Sequence, residues 1–581
     1  MADLLKSLSE YNKENIYPFH MPGHKRAIAN ELPYGLDITE INGFDNLNAM
    51  TEGEILWQMT KDASSLYGEN VSLTRILLNG ATSGIMAAIR AVCEVNDTIV
   101  IARNCHKSVY RTAEILGLNT RYVYPDYIEE YGVFAGLSID DLTDSLRSAR
   151  REMNAKALVV TSPTYEGIVL DIKAISEVCH SFNMVLIVDE AHGAHLPFIH
   201  PELSAINNGA DIVIESLHKT LPAMTQTAIV HLTKEGVSRD GNLAKSLDQM
   251  VTAFASSSPS YLLMASVDEC FNICRDKKRF DDYEMKIKAE REAYRGLKNI
   301  GILDEKSVYG YAYDEGKLVF LLAGVFRKGE NRLTASYGQD ALADNDALAL
   351  EDENALVDYT GYDLMEDLRE FKIECEMASD NYLVAMTSIM DSEEGFKRLR
   401  EAVFKIDEGL VRTRNICPRV RRAKKEKVKL RLVVDGEEDR GLSLGDENAL
   451  ESKHTDGVIN ALNVSCVDKD SAVKLAEDNA PDNPSFIIAD QAMSIAEARM
   501  RDVAYLDIDK IYKQLANGIT NTSAMKENVT GFVAGDYIMR YPPGVPIVAP
   551  GERITRAILD EIMKAPDKML GLVDGKVPVI I

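Results

Sequence analysis

The chain has 581 residues, more than one hydrophobic core usually supports, so at least two domains are expected. Its 91 acidic and 65 basic residues leave a formal charge of −26, which argues against nucleic acid or an anionic membrane as a partner. Hydrophobic residues at 46% with 27% charged are globular proportions, and no apolar run approaches the roughly 20 residues that span a bilayer.

Residues 1–50 form an N-terminal segment. Its first 16 residues are polar and mixed in charge, without the basic start and apolar middle of a secretory leader, so a cytoplasmic protein is expected. From Thr51 to Leu232 short apolar runs alternate with amphipathic stretches. Thr98–Ile101, Ala157–Thr161, Val185–Val188 and Asp211–Ile214 read as buried strands, and Ile85–Val95, Ile139–Arg151 and Ile172–Phe182 as helices. This alternation predicts an α/β large domain over 51–297, with a mostly parallel sheet covered on both faces. Such sheets place ligands at the carboxyl ends of their strands.

A long helix over Ala265–Leu297 is expected to lead into a smaller α+β C-terminal domain, 298–581. Two segments within it look inserted, near 330–358 and 412–500. The first is acidic. The second opens with a basic run, Arg412–Arg431, which lacks interleaved aromatics and reads as a solvated strand or as an internal partner for the acidic stretches. The eight cysteines (93, 105, 179, 270, 274, 375, 417 and 466) include no CxxC pair, so neither a disulfide framework nor a zinc ribbon is indicated. Cys270 and Cys274 share a helix face in an apolar stretch and read as buried thiols.

Asp189 ends the apolar run NMVLIVD. Taken alone it fits an active-site acid and a helix N-cap equally well. Thirty positions on, Lys219 lies just past the run DIVI. Partial desolvation there would make it a Schiff-base nucleophile; a surface-loop lysine is the alternative. An Asp and a Lys on successive strand ends are what pyridoxal phosphate requires, one for its ring nitrogen and one for its aldehyde. Asn79–Gly84 (NGATSG) opens a helix with small residues and hydroxyls, as a phosphate site does. Neither GxGxxG nor a P-loop occurs. His106, after the strand TIVI, fits an imidazole stacked on a ring and a structural histidine equally. Lys107 is a rival lysine without a matching downstream carboxylate. His192, His195 and His200 near Asp189 match no zinc spacing, so no metal is expected.

Together PFHMPGHK (18–25), NGATSG (79–84), RNCHKS (103–108), SPTYEG (162–167), VDEAHG (188–193), SLHKT (216–220) and YIMRYPPGVPIVAPGE (537–552) resemble the motifs of the Orn/Lys/Arg decarboxylase family. The resemblance implies a fold-type-I large domain dependent on pyridoxal 5'-phosphate, and decarboxylation of arginine, lysine or ornithine to agmatine, cadaverine or putrescine. It implies that Lys219 holds the cofactor, Asp189 pairs with its ring nitrogen and His106 stacks on the ring. Thr82, Ser83, Ser216 and His218 would hold the phosphate, and Ala191 and His192 would line the ring's other side. Ser257 and Ser258 would reach a neighbouring subunit's cofactor in a homodimer or higher homo-oligomer. Glu374, Glu376 and Asp380 would lie on the substrate side. The chain reaches the HMPGHK motif by His20, so a form lacking the N-terminal response-regulator-like domain of larger members is expected, and the two insertions fall outside the pattern. The alternatives are an aminotransferase or another lyase on the same fold, or a non-catalytic binder of basic amino acids.

Overall fold

A computed structural model describes residues 17–19, 23, 25, 45–328, 356–412, 420–421, 491–493, 495, 498, 501, 503–516, 532–540, 544–564, 566, 569–573 and 575–580. Most of both insertions, the basic run beyond Arg412 except 420–421, and His20 and His24 lie outside this set.

The large domain is built on seven strands: β1 (Val71–Leu77), β2 (Thr98–Ala102), β3 (Asn119–Val123), β4 (Ala157–Thr161), β5 (Val185–Asp189), β6 (Ile212–Glu215) and β7 (Ala228–Thr233). They lie in the order β3-β2-β4-β5-β6-β7-β1. Only β7 is antiparallel to its neighbours. The interior strands TIVIA, ALVVT and IVIE are buried along their whole length, as a sheet covered on both faces requires. Helices α1 (Gly80–Val92), α2 (Lys107–Ile115), α3 (Ile139–Met153) and α4 (Ile172–Ser181) alternate with them. Ser138 caps α3 and Asp171 caps α4 through side chains that accept from Asp141 N and Ala174 N. Gly84 lets α1 settle on the sheet, since a Cβ there would lie 2.6 Å from Leu77 Cδ1.

The expected helix over Ala265–Leu297 is two helices, α5 (Tyr261–Cys274) and α6 (Lys277–Tyr294). Asp276 leaves helical geometry with ψ 85°, which breaks the rod between them. Cys270 and Cys274 are free and buried in the large-domain core.

The smaller domain has a four-stranded sheet of β8 (Gly301–Ile302), β9 (Lys317–Leu321), β10 (Met377–Ala378) and β11 (Tyr382–Met386), in the order β8-β9-β11-β10. All its pairings are antiparallel. Helices α7 (Gly361–Glu370) and α8 (Glu393–Glu408) contribute Leu364, Leu368, Leu399 and Val403 to its core. Tyr17–Phe19 pairs with Ile373–Cys375, so the N-terminal segment is tied to this domain. The acidic insertion leaves and returns through paired strands, Val325–Lys328 with Leu356–Asp358. Among the described residues no helix is long and apolar enough to cross a membrane.

The C-terminal part has its own core, including Ile538, Val548, Ile558 and Ile562. It is joined to β2 by a buried ion pair, in which Arg103 Nε and Nη2 each donate to a Glu552 oxygen at 2.9 Å. Glu552 also accepts from Ala549 N at 2.7 Å. Both charges are excluded from water, so removing one leaves the other uncompensated. Glu552→Ala is expected to destabilise the fold by about 3–5 kcal/mol, read as a fall in the urea midpoint; an unchanged midpoint contradicts this role.

Candidate active site

At the carboxyl ends of the central strands β4, β5 and β6, Thr161, Asp189 and Ile214 stand side by side in register. Asp189 ends β5 and is 2% exposed. Its Oδ1 accepts from Ala191 N at 3.2 Å, so the acid shapes its own turn as well as facing the site. Burial raises its pKa, and the charge of Lys219 opposes that rise.

Lys219 lies on the short turn Leu217–Thr220 that follows β6, with its amide on Ser216 O at 3.2 Å. Burial lowers its pKa, while Asp189 and Glu376 pull it upward. Its Nζ is 3.0 Å from His192 Nε2. The His192 ring packs against Tyr165, with centroids 4.6 Å apart. Burial, reinforced by Lys219, Lys317, His106 and His218, keeps that imidazole uncharged. His106 precedes α2 and caps it, its Nδ1 accepting from Ser108 N at 3.3 Å. Burial and the charges of Lys219 and Lys107 hold it at about 3.

Gly80, at φ +75°, turns the chain from β1 into α1. Asn79 precedes the helix but does not cap it; its Oδ1 instead accepts from Ser256 N at 3.1 Å. The Ser83 hydroxyl donates back to Gly80 O at 2.8 Å. The first-turn amides are thus left without a side-chain cap, and the Ser216 hydroxyl likewise makes no cap bond. His218 Nδ1 faces Thr227 O at 3.0 Å. A cleft of about 330 Å³ opens beside Thr82 and His106 and reaches Asp536 and Tyr537. The buried Asn104 Oδ1 has no hydrogen-bond partner among the described residues. Uncapped amides, a spare serine hydroxyl, a buried carboxylate and a desolvated lysine are a donor set that fits a phosphorylated pyridine aldehyde.

The three acids expected on the substrate side separate. Glu376 accepts from Tyr165 OH and lies within electrostatic reach of Lys25, Lys219 and Lys317. Glu374 is held by a forked ion pair with Arg369, with Nε–Oε2 at 2.8 Å. Asp380 lies in the turn before β11, where its carbonyl accepts from Gly361 N at 3.3 Å. Ser257 and Ser258 are exposed on the loop that Asn79 and Asn48 hold through Ser256. Lys107 lines the cleft, its amide donating to Gly544 O at 3.0 Å.

Several site residues escape the sequence reading. Lys25 donates to Met386 O at 2.7 Å, and the neighbouring Gly23 amide donates to His218 O at 2.7 Å, which binds the N-terminal motif to the lysine turn. Lys317 opens β9 and brings a second buried amine to 3.5 Å from His192 Nδ1. Its pKa falls to about 8. The available signal is a lysine entering the apolar run KLVFLL at its amino end.

Behind Asp189, Glu190 accepts from Ala205 N at 2.9 Å and from the Ser204 hydroxyl at 3.2 Å. Glu215 ends β6 beside it, 4.0 Å from His231 Nε2. Burial raises both carboxyls, and Glu190 further raises Glu215, to about 8 for Glu190 itself. Between pH 4.5 and 8 folded Glu190 therefore keeps a proton that the unfolded chain releases, and stability falls as pH rises. Relative to wild type, Glu190→Gln should lack that loss, at about 1.4 kcal/mol per pH unit. Urea titrations at several pH values check it, and parallel stability–pH curves for the two proteins would contradict it.

The scaffold and its strand-end site place the protein in a class first: it has the fold-type-I architecture of pyridoxal-phosphate enzymes. Lysine decarboxylase A from Pseudomonas aeruginosa superposes with a TM-score of 0.61 at 17% identity, over 100% of this chain and 82% of that one. The Francisella novicida lysine decarboxylase gives 0.60 at 17%, over 91% and 72%. The chain belongs to the Orn/Lys/Arg decarboxylase family, whose major domain matches residues 2–300. It is 34% identical to the uncharacterized Bacillus subtilis protein YaaO over 310 residues, 51% of this chain and 62% of YaaO. It is 28% identical to an arginine decarboxylase of Bacillus subtilis, over 69% of this chain and 76% of that protein. The chain thus spans about three-fifths of the first relative's length and three-quarters of the second's.

Proposed function

We propose that the protein is a pyridoxal-phosphate-dependent decarboxylase that converts a basic L-amino acid to its amine and carbon dioxide, with arginine the first substrate to test. The observation that carries this reading is the pairing of Lys219, its pKa lowered by burial, with the buried Asp189 on the adjacent strand end. Lys219 would hold the cofactor's aldehyde and Asp189 its ring nitrogen. Thr82, Ser83, Ser216 and His218 would take the phosphate, with His106 on one face of the ring and Ala191 and His192 on the other. The bound cofactor supplies an electron sink for the pair left on Cα when the carboxylate departs.

The protein's share is placement and charge. Asp189 would stabilise a proton on the ring nitrogen, and the uncharged His106 and His192 would offer flat faces without adding cations. Of the three acids, Glu376 is best placed to meet the substrate's distal cation, because it lies among the lysines that surround the site. Ser257 and Ser258 are read as reaching the cofactor of a second subunit in a homodimer or higher homo-oligomer; their exposure agrees with that reading. Arginine comes first because a relative matched over 76% of its length is an arginine decarboxylase.

The test supplies L-arginine, L-lysine and L-ornithine with pyridoxal phosphate and follows carbon dioxide and amine together. One substrate yielding both in equal amounts supports the reading. A keto acid in place of carbon dioxide would make the protein a transaminase on the same scaffold.

A further inference from the structure

We propose that Lys317 is a positioning residue: its ammonium donates to His192 Nδ1 and so fixes the imidazole proton on Nε2, the nitrogen facing Lys219. Only the kinetic part of this inference rests on the decarboxylase reading; the tautomer is a property of the protein alone.

Lys317 is delivered to His192 by a fixed backbone and a shaped path. Its carbonyl accepts from Tyr313 OH at 2.7 Å and from Arg291 Nη1 at 3.2 Å. Its stem runs through a notch at Gly167, where a Cβ would lie 2.8 Å from Lys317 Cγ. Gly167 has φ +104°, so the position favours glycine for conformation as well as for space. The side chain is 1% exposed, and a buried ammonium needs acceptors and counter-charges. Asp314 and Glu376 supply the charges, against burial and the repulsion of Lys219 and Lys25. Asp314 is itself held in place by His195 Nε2 at 3.1 Å and Gly316 N at 3.0 Å.

Two amines flank one ring, at 3.0 Å from Nε2 and 3.5 Å from Nδ1. A neutral imidazole carries one N–H, and an ammonium has only protons to offer. With Lys317 charged, Nδ1 has to accept. A proton on Nδ1 would instead set donor against donor. The hydrogen therefore sits on Nε2, on the side of Lys219, whose pKa burial lowers against the pull of Asp189 and Glu376. Burial first, and then the nearby cations including Lys317, disfavour a charged ring, and Tyr165 covers it. Lys317 thus sets both the direction and the charge of the residue that touches the reactive lysine, from the smaller domain.

The experiment records long-range proton–nitrogen spectra of cofactor-free protein labelled with 15N-histidine, with His192 identified by the signal missing in His192→Gln. The expected result at pH 7 is a neutral ring protonated on Nε2. A ring protonated on Nδ1, or an imidazolium, overturns the proposal without need of any Lys317 variant. In Lys317→Met the pattern should move to mixed tautomers and the ring should titrate at least one pH unit higher. Lys317→Arg, which keeps the donor and charge, should restore the wild-type pattern. An unchanged His192 pattern in Lys317→Met overturns the proposal. In the cofactor-loaded enzyme Lys317→Met should lower kcat about tenfold with little change in KM. If the wild type shows the expected tautomer but decarboxylates none of the three amino acids, the decarboxylase reading fails and the Lys317 assignment stands.

Discussion

Lys219→Ala protein mixed with pyridoxal phosphate is expected to lack the visible absorbance of a lysine-bound cofactor and to lose roughly 10³-fold or more of its decarboxylation rate. Among the described residues, the other lysines near the site would need rearrangement to take its place. Lys25 is anchored on Met386 O, and Lys317 faces the far nitrogen of His192. Lys107 follows β2, on the cleft beside Thr82 and His106. The fold should survive, because the turn Leu217–Thr220 is held by backbone bonds that do not involve the Lys219 side chain, Lys219 N to Ser216 O at 3.2 Å and Leu221 N to Leu217 O at 2.9 Å. An alanine variant with the wild-type spectrum and rate would remove Lys219 from the site.

Asp189→Asn is expected to keep the cofactor and lose roughly 10²–10³-fold in kcat. The amide is nearly the same size, and its oxygen can still accept from Ala191 N, so the turn after β5 should persist. What disappears is a negative charge. Without it Lys219 loses the first of the two groups that raise its pKa, so that pKa should fall further. The ring nitrogen would also lose the carboxylate that holds its proton. Cofactor titration and steady-state rates on the same preparation separate the two effects. Equal kcat in the two proteins would contradict the assigned role.

The parts of the fold legible in the sequence are those where one local signal suffices. The buried strands β2, β4, β5 and β6 read as uninterrupted apolar runs because a parallel sheet covers both their faces. Strand β1 mixes Ser72, Thr74 and Arg75 with its apolar residues at the sheet edge, and β3 is half polar at the other edge, so neither reads as an uninterrupted apolar run. Strand β7 is antiparallel and carries His231 in its middle. The break between α5 and α6, at Asp276, lies in a stretch without Gly or Pro, so no local breaker marks it.

The site divides similarly. Asp189 and Lys219 were legible because strand ends in such sheets carry chemistry. Lys317 and Lys25 were not, because they come from the smaller domain and the N-terminal segment, and only the tertiary fold sets them beside His192 and Met386. Glu374, Glu376 and Asp380 are close in sequence, yet their contacts differ: Arg369 engages the first, Tyr165 the second, and Asp380 lies in the turn before β11.

The most direct test is chemical mapping of the reactive lysine. Wild-type protein incubated with pyridoxal phosphate is reduced with borohydride and digested, and the peptide carrying the pyridoxyl group is identified by mass. The account predicts a single modified residue, Lys219, at one group per chain. Modification at Lys107, Lys317 or Lys25 instead, or scattered labelling of surface lysines, would contradict it.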